Sequence, residues 1–182
     1  VDDNSWISSV EDGRTAMIGF SKEGYIAAND GVNAPNDGTS STFKIHRFNM
    51  SGDITGPSVS SIALESADSQ NSLLNIGDVV AARVTFDEAT VVNTTGGTPT
   101  IALNIGGVSR NASYASGTGN TEIVFTYTIT SSETADTDGI SIDANSISLN
   151  GGTMKDAAGN NATITHSAVA ANSSFKVDVA RP

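Results

Sequence analysis

Cysteine is absent from the 182 residues. Disulfide staples and thiolate metal sites are therefore excluded, and the fold has to stand on its core. Aromatic residues are scarce, at 5% of a chain that is 37% hydrophobic, so the expected core is built of Val, Ile, Leu and Ala. Basic residues are also few: nine Lys and Arg face twenty Asp and Glu, for a net charge of −11. Such a surface repels DNA, RNA and anionic lipid, so no nucleic-acid partner is expected. It suits hard cations held by oxygen ligands, although acidity by itself also keeps a chain soluble. No apolar run approaches the ~20 residues of a membrane-spanning helix, and direct membrane insertion is not expected. No leader is recognisable at Val1, and the chain reads as a piece of something longer.

Catalytic signatures are equally scarce. His46 and His166 fall at expected strand or strand-edge positions, and no motif pairs a Ser with either, so a Ser–His–Asp arrangement is unsupported. Two isolated histidines do not make a classical zinc site without carboxylate help. Gly117-Thr118-Gly119 lacks the following helix and Lys of a phosphate-binding loop. Paired loop carboxylates could imitate glycosidase acids, but nothing in the pattern indicates a cleft. The expectation is a protein that is not an enzyme.

What the sequence does hold is a succession of short alternating segments separated by turn residues. Val59–Leu64, Asp78–Phe86, Thr100–Ile105, Val108–Tyr114, Glu122–Ile129, Gly139–Ile142, Ser146–Leu149, Thr163–Thr165 and Phe175–Val177 all read as strands. In the second of them, Val80, Ala82, Val84 and Phe86 share one face. Gly106-Gly107 reads as a hairpin turn and Gly117–Asn120 as another. No amphipathic helix is convincing; a single helical turn fits 131–135. Many short strands with regular turn signals predict an all-β fold, an antiparallel β-sandwich.

The N-terminal third is organised differently. Trp6, Ile7 and Val10 suggest one strand, Thr15–Phe20 a second, Tyr25–Ala27 a third, and Phe43–Ile45 a fourth. Ser40-Ser41-Thr42-Phe43-Lys44-Ile45 is echoed by Ser173-Ser174-Phe175-Lys176-Val177, and each is followed by a polar stretch containing Pro, at Pro57 and Pro182. A repeated final strand plus linker is what a tandem array would show. We therefore expect an N-terminal β segment over residues 1–52, the end of a preceding module or an appended subdomain. The sandwich with its flanking linkers is expected over residues 53–182.

The stretch from Asp53 to Asp178 resembles the immunoglobulin-like (BIg-type) repeats of large, type I-secreted RTX adhesins of bacteria. The resemblance rests on Asp53-Ile54-Thr55-Gly56-Pro57-Ser58-Val59, and on Asn75-Ile76-Gly77-Asp78-Val79-Val80 followed by Val84–Ala89. It also rests on Thr94–Asn104, on Asp136-Thr137-Asp138-Gly139-Ile140-Ser141-Ile142 and on Asn150–Asn160. Residues 1–50 lie outside it. The resemblance implies an immunoglobulin-like antiparallel β-sandwich, calcium-stabilised linkers, a secreted or cell-surface location, and a part in adhesion or biofilm formation. Neighbouring repeats of the same chain would be its partners.

Calcium takes six to eight oxygens from carboxylates, carbonyls and water. Asp136 and Asp138 form a compact donor set on a turn before a strand, Asp143 lies just beyond that strand, and Glu133 is near in sequence. Asp156 with Asn160 forms a second loop cluster. Asp53 and Asp178 sit in the two linkers, where an ion could lock neighbours together. Asp87-Glu88 follows a strand and could reach an end of the sandwich. For each, the plain alternative is turn chemistry, since Asp and Asn bond their own backbone. The twelve-residue EF-hand spacing and the nonapeptide calcium repeat are both absent.

Asp2, Asp3, Asp12, Asp30 and Asp37 are further oxygen donors in the first third. The Asn-Asp-Gly motifs at 29–31 and 36–38 read either as turns or as a cation-shaped ligand loop. Trp6 and Tyr25 could stack on a sugar ring, although a lone Trp is more often core. Asn93, Asn111, Asn161 and Asn172 stand in glycosylation sequons and read as polar turn and strand residues. Three roles remain in competition: an extender module, a module binding a surface glycan or peptide with residues 1–50 forming part of the site, and an accessory sandwich of a secreted hydrolase.

Overall fold

The computed structural model describes the backbone of residues 6–11, 14–20, 25–28 and 44–47, and residues 53–179 in full. The chain divides into two compact units, Val1–Gly52 and Asp53–Pro182. In the first, β1 (Trp6–Glu11), β2 (Arg14–Phe20), β3 (Tyr25–Ala28) and β4 (Lys44–Arg47) form an antiparallel sheet in sequential order. The two Asn-Asp-Gly motifs and Asp2, Asp3 and Asp12 lie outside the described residues.

The second unit is all β; among the described residues there is no helix. Its strands are β5 (Val59–Glu65), β6 (Leu73–Leu74), β7 (Val79–Asn93), β8 (Thr100–Ile105), β9 (Val108–Ser116), β10 (Asn120–Thr128), β11 (Ile147–Ser148), β12 (Thr153–Lys155) and β13 (Lys176–Val177). A curled sheet runs β11-β8-β9-β10-β7, all antiparallel neighbours. The far side of β7 is shared, with β5 covering its first half and β12 its last three residues. A parallel pair, β13 with β6, stands apart.

The alternation in β7 does what a half-buried strand requires. Val80, Ala82, Val84 and Phe86 are all at most 2% exposed. They meet Ile101, Leu103 and Ile105 of β8 and Ile123 and Phe125 of β10, with Ile129, Ile140, Ile142, Met154 and Val177 completing the core. Each fully buried aliphatic side chain of this kind contributes roughly 1.5–3 kcal/mol of transfer free energy. Tyr114 meets Phe125 edge-on at 6.3 Å. The β8–β9 turn is a two-residue loop between paired Ile105 and Val108, and Gly106 and Gly107 have φ of 56° and 81°. A type I′ hairpin turn needs positive φ at both positions, which glycine supplies without strain.

Three expectations differ in detail. β7 does not stop at Phe86: it continues through Asp87-Glu88 to Asn93, because Thr90 is buried and Val91–Asn93 finds a partner in β12. The segments 139–142 and 163–165 are not ladders but single bridges, Asn104 with Ser141, Ile142 with Val169 and Ser58 with Thr163. At 131–135 the chain makes a turn, closed by Glu133 N donating to Thr130 O at 3.3 Å, rather than a helix.

Candidate metal centre

The segment 53–58 is laced to the rest of its unit. Asn160 Nδ2 donates to the carbonyl oxygens of Asp53 at 2.9 Å and Thr55 at 3.2 Å. Gly56 packs so tightly on Asn161 that an added Cβ would lie 2.0 Å from the Asn161 carbonyl oxygen. Pro57 O accepts from Thr163 N at 2.7 Å, and Ser58 N donates to Asp87 Oδ1 at 2.7 Å. Asp53 Oδ1 in turn accepts from Thr55 N and Oγ1, an Asx turn that fixes its carboxylate.

This lacing brings together three residues far apart in sequence. One carboxylate oxygen each from Asp53, Glu88 and Asp156 lie within 4.8 Å of one another, with Asp53 exposed, Glu88 half-buried and Asp156 buried. Glu88 comes from the middle of β7, where the strand passes from β5 to β12. Asp156 comes from the loop after β12. Its carboxylate accepts from Asn160 N at 2.8 Å and Asn160 Nδ2 at 2.6 Å, while its amide donates back to Asn160 O at 3.1 Å. Asn160 therefore holds Asp156 and the 53–55 backbone in one frame.

The electrostatics follow from that geometry. Burial and the negative charges of Asp53, Asp156 and Asp87 hold the Glu88 carboxyl above the usual carboxylate range. Burial opposes ionisation of Asp156 too, but hydrogen bonds from Asn160 and from the amides of Gly159 and Ala158 keep it below that range. The result is one preorganised carboxylate beside one that is reluctant to ionise, an arrangement that a cation would relieve.

The donor set fits a hard ion. All three ligands are oxygen, and among the described residues no His joins them, which disfavours zinc and the softer metals. Three carboxylates can give three to six of the six to eight oxygens that calcium takes.

The structure places the other expected ligands elsewhere. Asp136 is buried, and its carboxylate accepts from Gly106 N at 2.9 Å and Gly139 N at 2.7 Å, tying the β8–β9 turn to the 136–139 turn. Asp138 and Asp143 are exposed on loops, and Asp178 is half-buried with its amide donating to Leu74 O at 3.0 Å. Among the described residues none of these four joins a group of three candidate ligands. Of the expected set, Asp53, Asp156 and Asn160 come together. Glu88 completes them, and its only sequence signal is its place beside Asp87 at what reads as a strand end.

Glu133 has a different environment. Its side chain has no exposed surface, and it accepts from Arg110 Nε at 2.7 Å, Thr130 Oγ1 at 2.9 Å and the Tyr127 hydroxyl. His166 is fully engaged: Nε2 accepts from Ser146 N at 2.9 Å, and Nδ1 lies 2.8 Å from Ser167 O. No protein-family model matches the chain, and neither does any curated protein or solved structure.

Proposed function

We propose that this chain is a calcium-stabilised module of a bacterial cell-surface adhesin, an immunoglobulin-like sandwich that spaces neighbouring modules and catalyses nothing. The observation that supports it is the Asp53, Glu88 and Asp156 cluster. It joins the residue that opens the unit to the middle of the longest strand and to a loop more than a hundred residues later. An ion held there would fix how the chain enters the unit, which is what an extender requires of its junctions. The adhesin assignment and the cell-surface location rest on the family resemblance of residues 53–178.

The experiment is thermal unfolding in calcium and in chelator. Millimolar calcium is expected to raise the melting temperature by roughly 5–10 °C, as mass action predicts for a ligand well above its dissociation constant. Glu88→Gln should remove most of that rise. Identical melting curves in calcium and chelator, or a rise that Glu88→Gln leaves intact, would defeat the assignment.

A further inference from the structure

We propose that the outer edge of β5 is a docking site for an extended peptide strand supplied by another protein. Among the described residues β5 pairs with β7 alone beyond Val59, whose amide donates to Thr163 O at 3.4 Å, so one side of residues 60–65 faces away from the sheet. The segment 163–169 begins alongside that edge, with a parallel bridge at Ser58 and Thr163. The two then part. Further along, His166 exchanges bonds with Asn145, its O accepting from Asn145 N at 3.2 Å and its N donating to Asn145 Oδ1 at 3.0 Å. Val169 pairs through both its amide and its carbonyl with Ile142. Between the diverging walls lies a groove of about 470 Å³, with residues 59–62 on one side, 165–169 on the other, and Asn145. That volume falls within the ~300–1,000 Å³ of typical ligand sites.

Three observations identify the occupant. A row of strand-edge amides and carbonyls is complementary to another extended backbone, as in recognition by strand addition. Natural edges are guarded by charge or proline, yet β5 has no proline and its one charge is the terminal Glu65, held by Arg83, while its bulge at 59–61 sits only at the closed end. Finally, among the described residues no carboxylate lines the groove, although the chain carries a net charge of −11. A segment that is uncharged within the groove and basic beyond it is therefore the match, while a second copy of this acidic chain is repelled. Among the described residues no Trp, Tyr or Phe lines the groove, so it lacks the stacking surface a sugar would use. None of the three carboxylate residues of the cation cluster lines it either, so this inference stands or falls apart from calcium.

The test uses ¹⁵N-labelled protein and a capped peptide of seven alternating threonines and valines followed by two lysines. Saturable shifts of amide signals are expected, confined to residues 58–65 and 163–169. Ser61→Lys should weaken binding by about tenfold or more, since an edge lysine blocks strand addition. Ala63→Lys serves the same purpose should Ser61→Lys not fold. Ala115→Lys, exposed on β9 away from the groove, should bind as the parent does. Without peptide, the amides of 164–168 should exchange much faster than those of Val84 and Phe125. The proposal is overturned by absence of saturable shifts at millimolar peptide, by shifts centred elsewhere, or by affinity indifferent to both edge lysines. It is overturned equally by self-association through β5, or by protection of 164–168 equal to that of β7, which would mean the groove is closed in solution.

Discussion

Replacing Glu133 by Gln tests whether the 130–139 connection is pinned by a buried charge or merely lies over the core. The carboxylate has no exposed surface and receives three side-chain donors, one of them the Arg110 guanidinium. Gln keeps the shape but loses the charge; its NH₂ group can only donate, so either the Tyr127 and Thr130 hydroxyls must turn to accept or Arg110 must face it. Removing one member of a buried ion pair costs about 3–5 kcal/mol, because the partner is left uncompensated. Arg110 keeps part of its surface, with 27% of its side chain exposed, so the lower end applies: about 3 kcal/mol. For a unit of this size 1 kcal/mol moves the melting temperature by about 4 °C, giving a drop of about 12 °C at pH 7. Acid adds a second reading. Burial opposes ionisation of Glu133, but the bonds from Tyr127, Arg110 and Thr130 hold its carboxyl below the usual range. A depressed carboxylate contributes stability above its unfolded-state value and loses it as pH falls through the folded one. The gap between parent and variant should therefore narrow between pH 7 and pH 3. Melting followed by circular dichroism reads both quantities. A gap under about 3 °C at pH 7, less than 1 kcal/mol, or one that persists unchanged in acid, would refute the reasoning.

Other outcomes follow from the same geometry. Glu88 has a raised carboxyl, so in chelator its contribution to stability is present at low pH and is lost as pH rises through its folded value. Calcium should cancel that loss and release a proton on binding, measurable in weakly buffered solution just above the usual carboxylate range. Gly139→Ala should unfold the unit at markedly lower temperature, since φ is 102° and the new Cβ would lie 2.0 Å from the Asn172 carbonyl oxygen. Calorimetry of that variant checks it. Phe125→Ala, which empties a fully buried position beside Tyr114, should cost about 3–5 kcal/mol in denaturant unfolding. Burial, then Glu133, raises the Tyr127 phenol, so its ultraviolet titration should come above that of an ordinary tyrosine.

The strands with strict period-2 patterning were legible in the sequence. Val80, Ala82, Val84 and Phe86 could be placed on one inward face because alternation alone determines it, and Gly106-Gly107 because few other residues tolerate that turn. What alternation does not carry is the length of the ladder beside a segment. Residues 139–142 and 163–165 alternate like strands, yet each neighbour stays alongside them for a single bridge only. The continuation of β7 past Asp87-Glu88 was hidden for a related reason: two acids break the apolar rhythm before Thr90–Val92 resumes it. The cation cluster was half visible. Asp and Asn in loops announce oxygen donors, but whether they meet depends on topology over a hundred residues, as it does for Asp53 with Asp156. Asp136 shows the converse, for its carboxylate is spent on two backbone amides, one of them on a turn thirty residues away.

The parallel bridge of Ser58 with Thr163 and the parallel pair β13–β6 have a consequence for how the unit would respond to tension. If the chain were pulled from its two ends, the strand leaving Pro57 would be drawn one way and the segment beyond Thr163 the other. Parallel neighbours so drawn slide lengthwise, so their hydrogen bonds are strained together instead of parting one after another. Resistance to stretching would then depend on how fast these few bonds break at once, a rate of forced unfolding and not an equilibrium stability. Residues 57–59 and 163, with 73–74 and 176–177, are where a mechanical clamp of this unit would be sought.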